Sequence, residues 1–316
     1  MFNVFLGSMS TLVVCVFIGF VGRKLGFLSD NANDAMATLL VKFTLPATVF
    51  ASITMRSFSR ELLLESLITL GIMTIIYFLG YSAASIFAKL VKATQAEKRI
   101  WQFSLMFPNV VYIGFPIVQS VFGDNVMIHA SMSAMAFNIL VFTFGAYLIK
   151  SSVENEQPKA ASTKQILLSP ALVAMYIGII FFVMNLPIPA PLQNAISMFA
   201  AVTTPLAMLL MGSLLSKYIS AFGIAKLFAD WRIYPLVILR LVAIPLVAYF
   251  IIRNFITDPI QLGAIITLGA MPVATITIIF TEQHKADTGI ALKLTVASDL
   301  LCLATVPLIS LLFEKS

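Results

Sequence analysis

Long apolar runs separated by short polar connections repeat along the whole chain. Each run is about 20 residues, the length that carries an α-helix across the hydrocarbon core of a bilayer. Ten are predicted, at roughly 2–22, 34–54, 62–88, 101–121, 127–149, 166–186, 192–215, 231–252, 259–281 and 289–312. The pattern therefore predicts an all-α membrane protein of ten transmembrane helices. One clearly polar stretch, SSVENEQPKAASTKQ at 151–165, divides it into an N-terminal five-helix repeat (1–150), a linker (151–165) and a C-terminal five-helix repeat (166–316). An odd number of spans per half would set the two copies in opposite membrane orientations, a five-plus-five inverted repeat. FTLPATVF (43–50) aligns with VTTPLAML (202–209), matching Pro46 to Pro205, and FPNVV (107–111) aligns with MPVAT (271–275), matching Pro108 to Pro272. The shared prolines fall at the second and seventh spans and at the fourth and ninth.

The fourth span carries more breaking residues than its neighbours, Pro108, Gly114 and Pro116, with Asn109 directly after the first proline. Proline removes a backbone donor and clashes with the preceding turn, and Gly114 adds backbone freedom. Freed amides and carbonyls survive in lipid only where protein or a water-filled cavity satisfies them. The ninth span carries the counterpart set Gly269, Pro272, Thr275 and Thr277. Two interrupted spans at corresponding places in two halves point to a transporter site, with half-helix N-termini offering amides to an anion.

Composition agrees: 60% of the 316 residues are hydrophobic and 11% charged, and the mean hydropathy is +0.99. The net charge of +6 is spread between spans, so it reports orientation and not a nucleic-acid surface. Alternate connections hold Arg23 and Lys24; Lys89, Lys92, Lys98 and Arg99; Lys150, Lys159 and Lys164; Lys217, Lys226 and Arg232; and Lys285. Opposite them lie Arg56, Arg60, Arg253 and Lys315, which puts both termini on the non-cytoplasmic side of a multi-pass plasma-membrane protein. MFNVFLGSMS lacks a basic n-region and is read as the start of the first span, not as a removable signal. Trp101 and Trp231 are expected as interfacial anchors, His129 and His284 as solvated interfacial residues, and Cys15 and Cys302 as small buried residues. No nucleotide fingerprint, paired acid and base, or metal-ligand set is present in the sequence, so neither an enzyme nor a cofactor is expected.

Other polar residues within spans are candidates for binding or coupling. Ser131, Asn138 and Gly145 recur at intervals of seven and are expected on one helix face. The Asn138 amide suits either a carboxylate or ion, or a hydrogen bond between packed helices. Thr295, Ser298 and Asp299 form one polar edge of the tenth span. Asp299 could carry a proton, coordinate a cation, or pair with Lys293 or Arg240. Lys42, ahead of Pro46, could draw an anion toward the pocket or face a cavity.

The run Asn109-Val-Val-Tyr-Ile-Gly114-Phe-Pro116 resembles the N-x-x-x-x-G-x-P signature of the auxin efflux carrier family, which includes plant auxin exporters and bacterial organic-acid permeases. The resemblance implies that the fourth and ninth spans cross, at Pro108 or Pro116 and at Pro272. It also implies a scaffold from helices 1, 2, 6 and 7, a transport domain from helices 3–5 and 8–10, and a substrate role for the asparagine of the fifth span, here Asn138. The chain lacks the long central loop of the plant exporters, which favours the bacterial branch. The expected function is secondary transport of a small organic anion, malate-like, by a membrane-embedded homodimer joined through the scaffold. Substrate is expected at Asn109, Asn138, Gly114, Pro108, Pro116, Pro272 and Thr275, with Asp299, Lys293 and Lys42 for ion coupling or charge balance. The alternatives are a sodium-coupled symporter of the bile-acid type and a membrane ligand sensor that transports nothing.

Overall fold

The computed structural model describes residues 2–54, 60–123, 126–153, 168, 170–223, 225 and 229–310. Most of the linker, together with Arg56, Lys159, Lys164, Lys226 and Lys315, lies outside the described residues. The described residues are helical throughout, joined by short turns, with a single isolated β-bridge.

The first half runs through α1 (Phe2–Lys24), α2 (Asp30–Leu39), α3 (Leu45–Thr54), α4 (Arg60–Leu90), α5 (Gln95–Met106), α6 (Phe115–Phe122), α7 (Met127–Leu140) and α8 (Ala146–Lys150). The second half contains α9 (Pro170–Val183), α10 (Ala190–Phe222), α11 (Ile233–Ile238), α12 (Ile244–Ile252), α13 (Pro259–Gly269), α14 (Ile276–Gln283) and α15 (Thr288–Ser310). Local chemistry sets several boundaries. Ser29 caps α2 through Ala32 N, and Thr94 with Glu97 forms a reciprocal capping box on α5. Asp258 caps α13 ahead of Pro259, while Gly223, at φ 80°, ends α10.

Among the described residues, five stretches are long and apolar enough to cross a membrane by length and composition: Asp30–Ala51, Leu67–Leu90, His129–Lys150, Ala190–Ala221 and Ile233–Ile252. Val173–Val183 and Pro259–Gly269 are shorter apolar helices. Large apolar side chains such as Phe17, Ile75 and Phe250 face outward, as a lipid-facing surface requires.

Wide five-residue turns, in which the helix loosens to an i→i+5 pattern, join α2 to α3 (Leu40–Thr44), precede α6 (Val110–Gly114), join α7 to α8 (Val141–Gly145) and join α11 to α12 (Leu239–Ala243). Three of these end two residues before a proline: Pro46, Pro116 and Pro245. A proline ring collides with the carbonyl four residues back, and loosening the preceding turn relieves that collision without ending the helix. Pro205, matched to Pro46 by sequence, instead lies inside the continuous helix α10.

Two packing neighbourhoods result. In one, α1 lies along α10, and α3 packs on α9 and α10. Gly19 and Gly212 make the first contact possible, because a Cβ at Gly19 would strike the Leu209 carbonyl and one at Gly212 the Val16 carbonyl. In the other, α4 packs on α5 and α7, α13 on α7, and α15 on α5 and α11. The neighbourhoods meet where α1 touches α6 and α15, and where α3 touches α7.

Candidate functional site

Both interrupted spans break, and they break against each other. The helix α5 ends at Met106 and the chain resumes helical form at Val110, while α13 ends at Gly269 and α14 begins at Ile276. Between these ends the two segments run antiparallel. Asn109 N donates to Pro272 O at 2.8 Å, Ala274 N donates to Phe107 O at 3.0 Å, and the bridge centres on Pro108 and Val273. The crossing therefore falls at Pro108 and Pro272. Pro116 instead lies in the first turn of α6, behind the wide turn.

Side chains tighten the crossing. Asn109 Nδ2 donates to Thr275 Oγ1 at 2.9 Å, and the Asn109 carbonyl accepts from Gly114 N at 2.9 Å. Ser298, on α15, accepts from Val273 N at 3.0 Å. Gly114 has ordinary helical angles, φ −65° and ψ −47°, so its contribution is space and not backbone freedom. A Cβ there would lie 2.8 Å from Leu268 Cδ2 and 3.2 Å from Met271 Cγ.

The crossing is packed shut rather than lying in an open polar pocket. The Phe107 ring lies tilted at 4.8 Å from Phe103 and edge-on at 5.6 Å from Phe137, and Phe103 meets Phe280 at 5.7 Å. Asn109, Asn138, Thr275, Pro108 and Pro272 are all buried. Asn138 follows Phe137 on α7, and neither its amide oxygen nor its amide nitrogen has a partner among the described residues. Thr277 Oγ1, in the first turn of α14, also lacks one. Buried polar atoms without partners are costly, so each of them is an atom that a polar guest or water would stabilise.

The wide turn Val141–Gly145 separates Asn138 from Gly145, so the interval of seven does not measure a helical face there. Gly145 packs instead directly on Phe103 and Phe107. Asp299 lies on α15 with both carboxylate oxygens unpartnered, beside a cavity of ≈ 90 Å³ lined by Leu12, Val16, Ile113, Met211 and Cys302. It pairs with neither Lys293 nor Arg240. Lys293 is half-buried beside Glu282 and Asp287, and Lys42 is exposed on the wide turn of the second span. A second cavity, of ≈ 390 Å³, lies between the two neighbourhoods, lined by Asp30, Asn33, Asp34, Lys217, Ile279 and Glu282.

Sequence reasoning underestimated Arg240. It is fully buried and donates from Nε to Met271 O at 3.1 Å, from Nη1 to Leu105 O at 3.1 Å, and from Nη2 to Gly269 O at 2.7 Å. A lone arginine within an apolar run was the available signal. Two expected surface residues are internal. Trp101 is 2% exposed, beneath the Arg232 guanidinium at 5.3 Å, and His129 is 5% exposed, its Nδ1 within 3.1 Å of Thr69 Oγ1. Trp231 is 62% exposed, as an anchor would be, while Cys302 is buried and Cys15 half-buried.

Arg232 also bonds Glu97 at 2.7 Å and Asp230 at 2.9 Å, tying the start of α5 to the start of α11. Burial works to raise the Glu97 carboxyl, but hydrogen bonds from Thr94 and Arg232 outweigh it and hold the group below the usual carboxylate range. The Arg232 hydrogen bond holds Asp230 low against a smaller effect of burial.

Comparison with known proteins bears on the whole chain. A family described as "Membrane transport protein" matches residues 4–310. Proteins named "Uncharacterized transporter YfdV" from Escherichia coli K12 and from Shigella flexneri are each 22% identical over 316 residues, covering 98% of this chain and 97% of theirs.

Proposed function

Because the chain belongs to the membrane transport protein family, of auxin efflux carrier type, we propose that it is a ten-span secondary transporter of a small organic anion, with a malate-like carboxylate as substrate. The observation that carries this reading is the antiparallel crossing of two proline-broken segments, with the unpartnered Asn138 amide on the helix packed against them. Amides in the first turn of a helix have no intrahelical acceptors, and their end of the helix carries partial positive charge. A carboxylate seated at the starts of Val110–Gly114 and of α14 would face two partially positive helix ends. Because the Val110, Gly114, Thr277 and Ile278 amides are already bonded to backbone carbonyls, the attraction is mainly that of the helix ends. Asn138 Nδ2 and the Thr277 hydroxyl would donate to it, and Asn109 and Thr275 would fix the frame. The buried state of these residues fits an occluded stage of the cycle.

Alternating access is part of this reading: α1, α3, α9 and α10 are taken as the scaffold, and α4, α5, α7, α11, α13 and α15 as the transport domain, the two groups that pack among themselves. The ≈ 390 Å³ cavity between them lies beside Lys217 and Glu282, on the side assigned to the cytoplasm by the distribution of positive residues. The crossing of the matched prolines Pro108 and Pro272 also fits an inverted repeat. Uptake of radiolabelled malate into proteoliposomes tests the site: the double replacement Asn109→Ala, Asn138→Ala should abolish it, and unchanged uptake would remove these residues from the site.

Asp299 favours one refinement. Two unpartnered carboxylate oxygens beside a cavity between α1 and α15 suit a coupling proton or cation. Uptake by Asp299→Asn that no longer responds to a pH gradient assigns a proton; loss of sodium dependence instead assigns the symporter reading.

A further inference from the structure

Arg240 is the second residue of the wide turn Leu239–Ala243, and its environment is unusual for a charge inside an apolar span. No carboxylate lies within ion-pair distance of it among the described residues. Its three hydrogen bonds go only to backbone carbonyls, and those carbonyls share one property: all belong to the broken ends of the two crossing spans. Leu105 is in the last turn of α5, Gly269 is the last residue of α13, and Met271 lies in the segment between α13 and the bridge. The last four carbonyls of any helix lack intrahelical donors, and that end of the helix carries partial negative charge. Two such ends meet here, next to the segment where the second halves begin.

We propose that Arg240 is a positioning residue for the crossing: its guanidinium fork gathers the released carbonyls of both first halves, so that the two segments move as one unit and their negative ends are neutralised. This rests on the anion reading above, which it deepens. Without the fork, a bound carboxylate would sit near two negative helix ends as well as near the positive starts of the wide turn and α14. With it, the negative ends are occupied and the positive starts prevail. A planar group with donors fixed in a fork can serve three carbonyls at once, whereas a lysine ammonium is a point charge that cannot span them.

The test uses the full-length protein in lipid nanodiscs, as wild type, Arg240→Lys and Arg240→Gln, with two readouts. Hydrogen–deuterium exchange should accelerate by ~10-fold or more in residues 104–111 and 268–275 together, the scale of a lost hydrogen bond to a charged group. Residues 16–20 and 209–212, where α1 meets α10, should stay at wild-type rates. Malate-induced thermal stabilisation should fall in the order wild type, Arg240→Lys, Arg240→Gln. Wild-type exchange at both crossing segments in a folded variant overturns the proposal, as does equal acceleration along α1 and α10, which would mark a general packing role. If neither variant folds, wild-type exchange decides. The two segments should open with one common free energy although they lie far apart in sequence, and independent opening overturns the clamp. Coupled exchange with no malate response in the wild type upholds the clamp and counts against malate as the substrate class.

Discussion

At the scale of single residues, the informative groups are those whose polar atoms are fully used or not used at all. Asn138 belongs to the second kind. Leaving a buried amide unsatisfied costs about 1–3 kcal/mol, so removing the amide relieves a penalty. Asn138→Leu is therefore expected to leave the melting temperature unchanged or raise it while abolishing malate uptake; a large destabilisation would mean that the amide is bonded in the resting protein. Asn109 is the contrasting case, since its amide bonds Thr275 at 2.9 Å. Thr275→Val should cost about 1 kcal/mol in chemical denaturation, and the same change in an Asn109→Ala background should cost less.

Proline was the most legible residue in the sequence because its effect is local: Pro108 and Pro272 forecast the break wherever the partner lay. The Arg240 contacts were not legible, because their acceptors are backbone carbonyls 135, 29 and 31 residues away, which no side-chain pattern marks. Trp101 and His129 were misplaced for a related reason. Trp101 neighbours Arg99 and Gln102 in sequence and His129 is itself ionisable at the start of an apolar run, yet packing from Phe87 and Arg232, and from Thr69, encloses them.

At the scale of elements, the wide turns explain where periodicity stops being a guide. Each loosened turn rotates the next stretch of helix out of regular register, so faces counted across Val141–Gly145 do not align. The close approach of α1 and α10 makes a sharper prediction. Gly212→Leu must push a side chain into the backbone of α1 near Val16, and overpacking of this kind typically costs about 1–3 kcal/mol or more. The expected result is a fall in melting temperature and loss of monodisperse protein on size exclusion, and a well-behaved variant would contradict the packing.

The link between the starts of α5 and α11 gives a pH dependence. Glu97 and Asp230 are held below the usual carboxylate range in the folded protein, so their contribution is present above about pH 4 and lost as pH falls through the folded values. Melting temperature should drop from about pH 5 toward about pH 3, and Arg232→Gln should flatten that part of the curve. An identical slope in the variant would assign the acid response elsewhere.

At the scale of the molecule, the proposed alternating access makes the cavity between the two packing neighbourhoods a place to look for relative motion. With Cys15 and Cys302 replaced by serine, a Gln283→Cys variant places a thiol on the wall of the ≈ 390 Å³ cavity. A membrane-impermeant maleimide should label it from the cytoplasmic side alone, and malate should change the labelling rate. Labelling from the opposite side would reverse the orientation read from the lysines and arginines. The packing neighbourhoods themselves were not legible in the sequence, since composition and hydropathy treat every apolar run alike.

The position of Arg240 also bears on how the protein is made. When the eighth span emerges from the ribosome, Leu105 has long since emerged, but Gly269 and Met271 are still inside the exit tunnel. An unmatched arginine at the centre of a span costs about 2.5–3.5 kcal/mol on insertion scales. That span should therefore rest shallowly in the translocon until the ninth arrives, so that the pair enters the bilayer as a hairpin. A nascent chain stalled with the eighth span outside the ribosome and residues 269–271 still in the exit tunnel is expected to show that span only partly integrated, and Arg240→Leu should restore full integration at the same stall site.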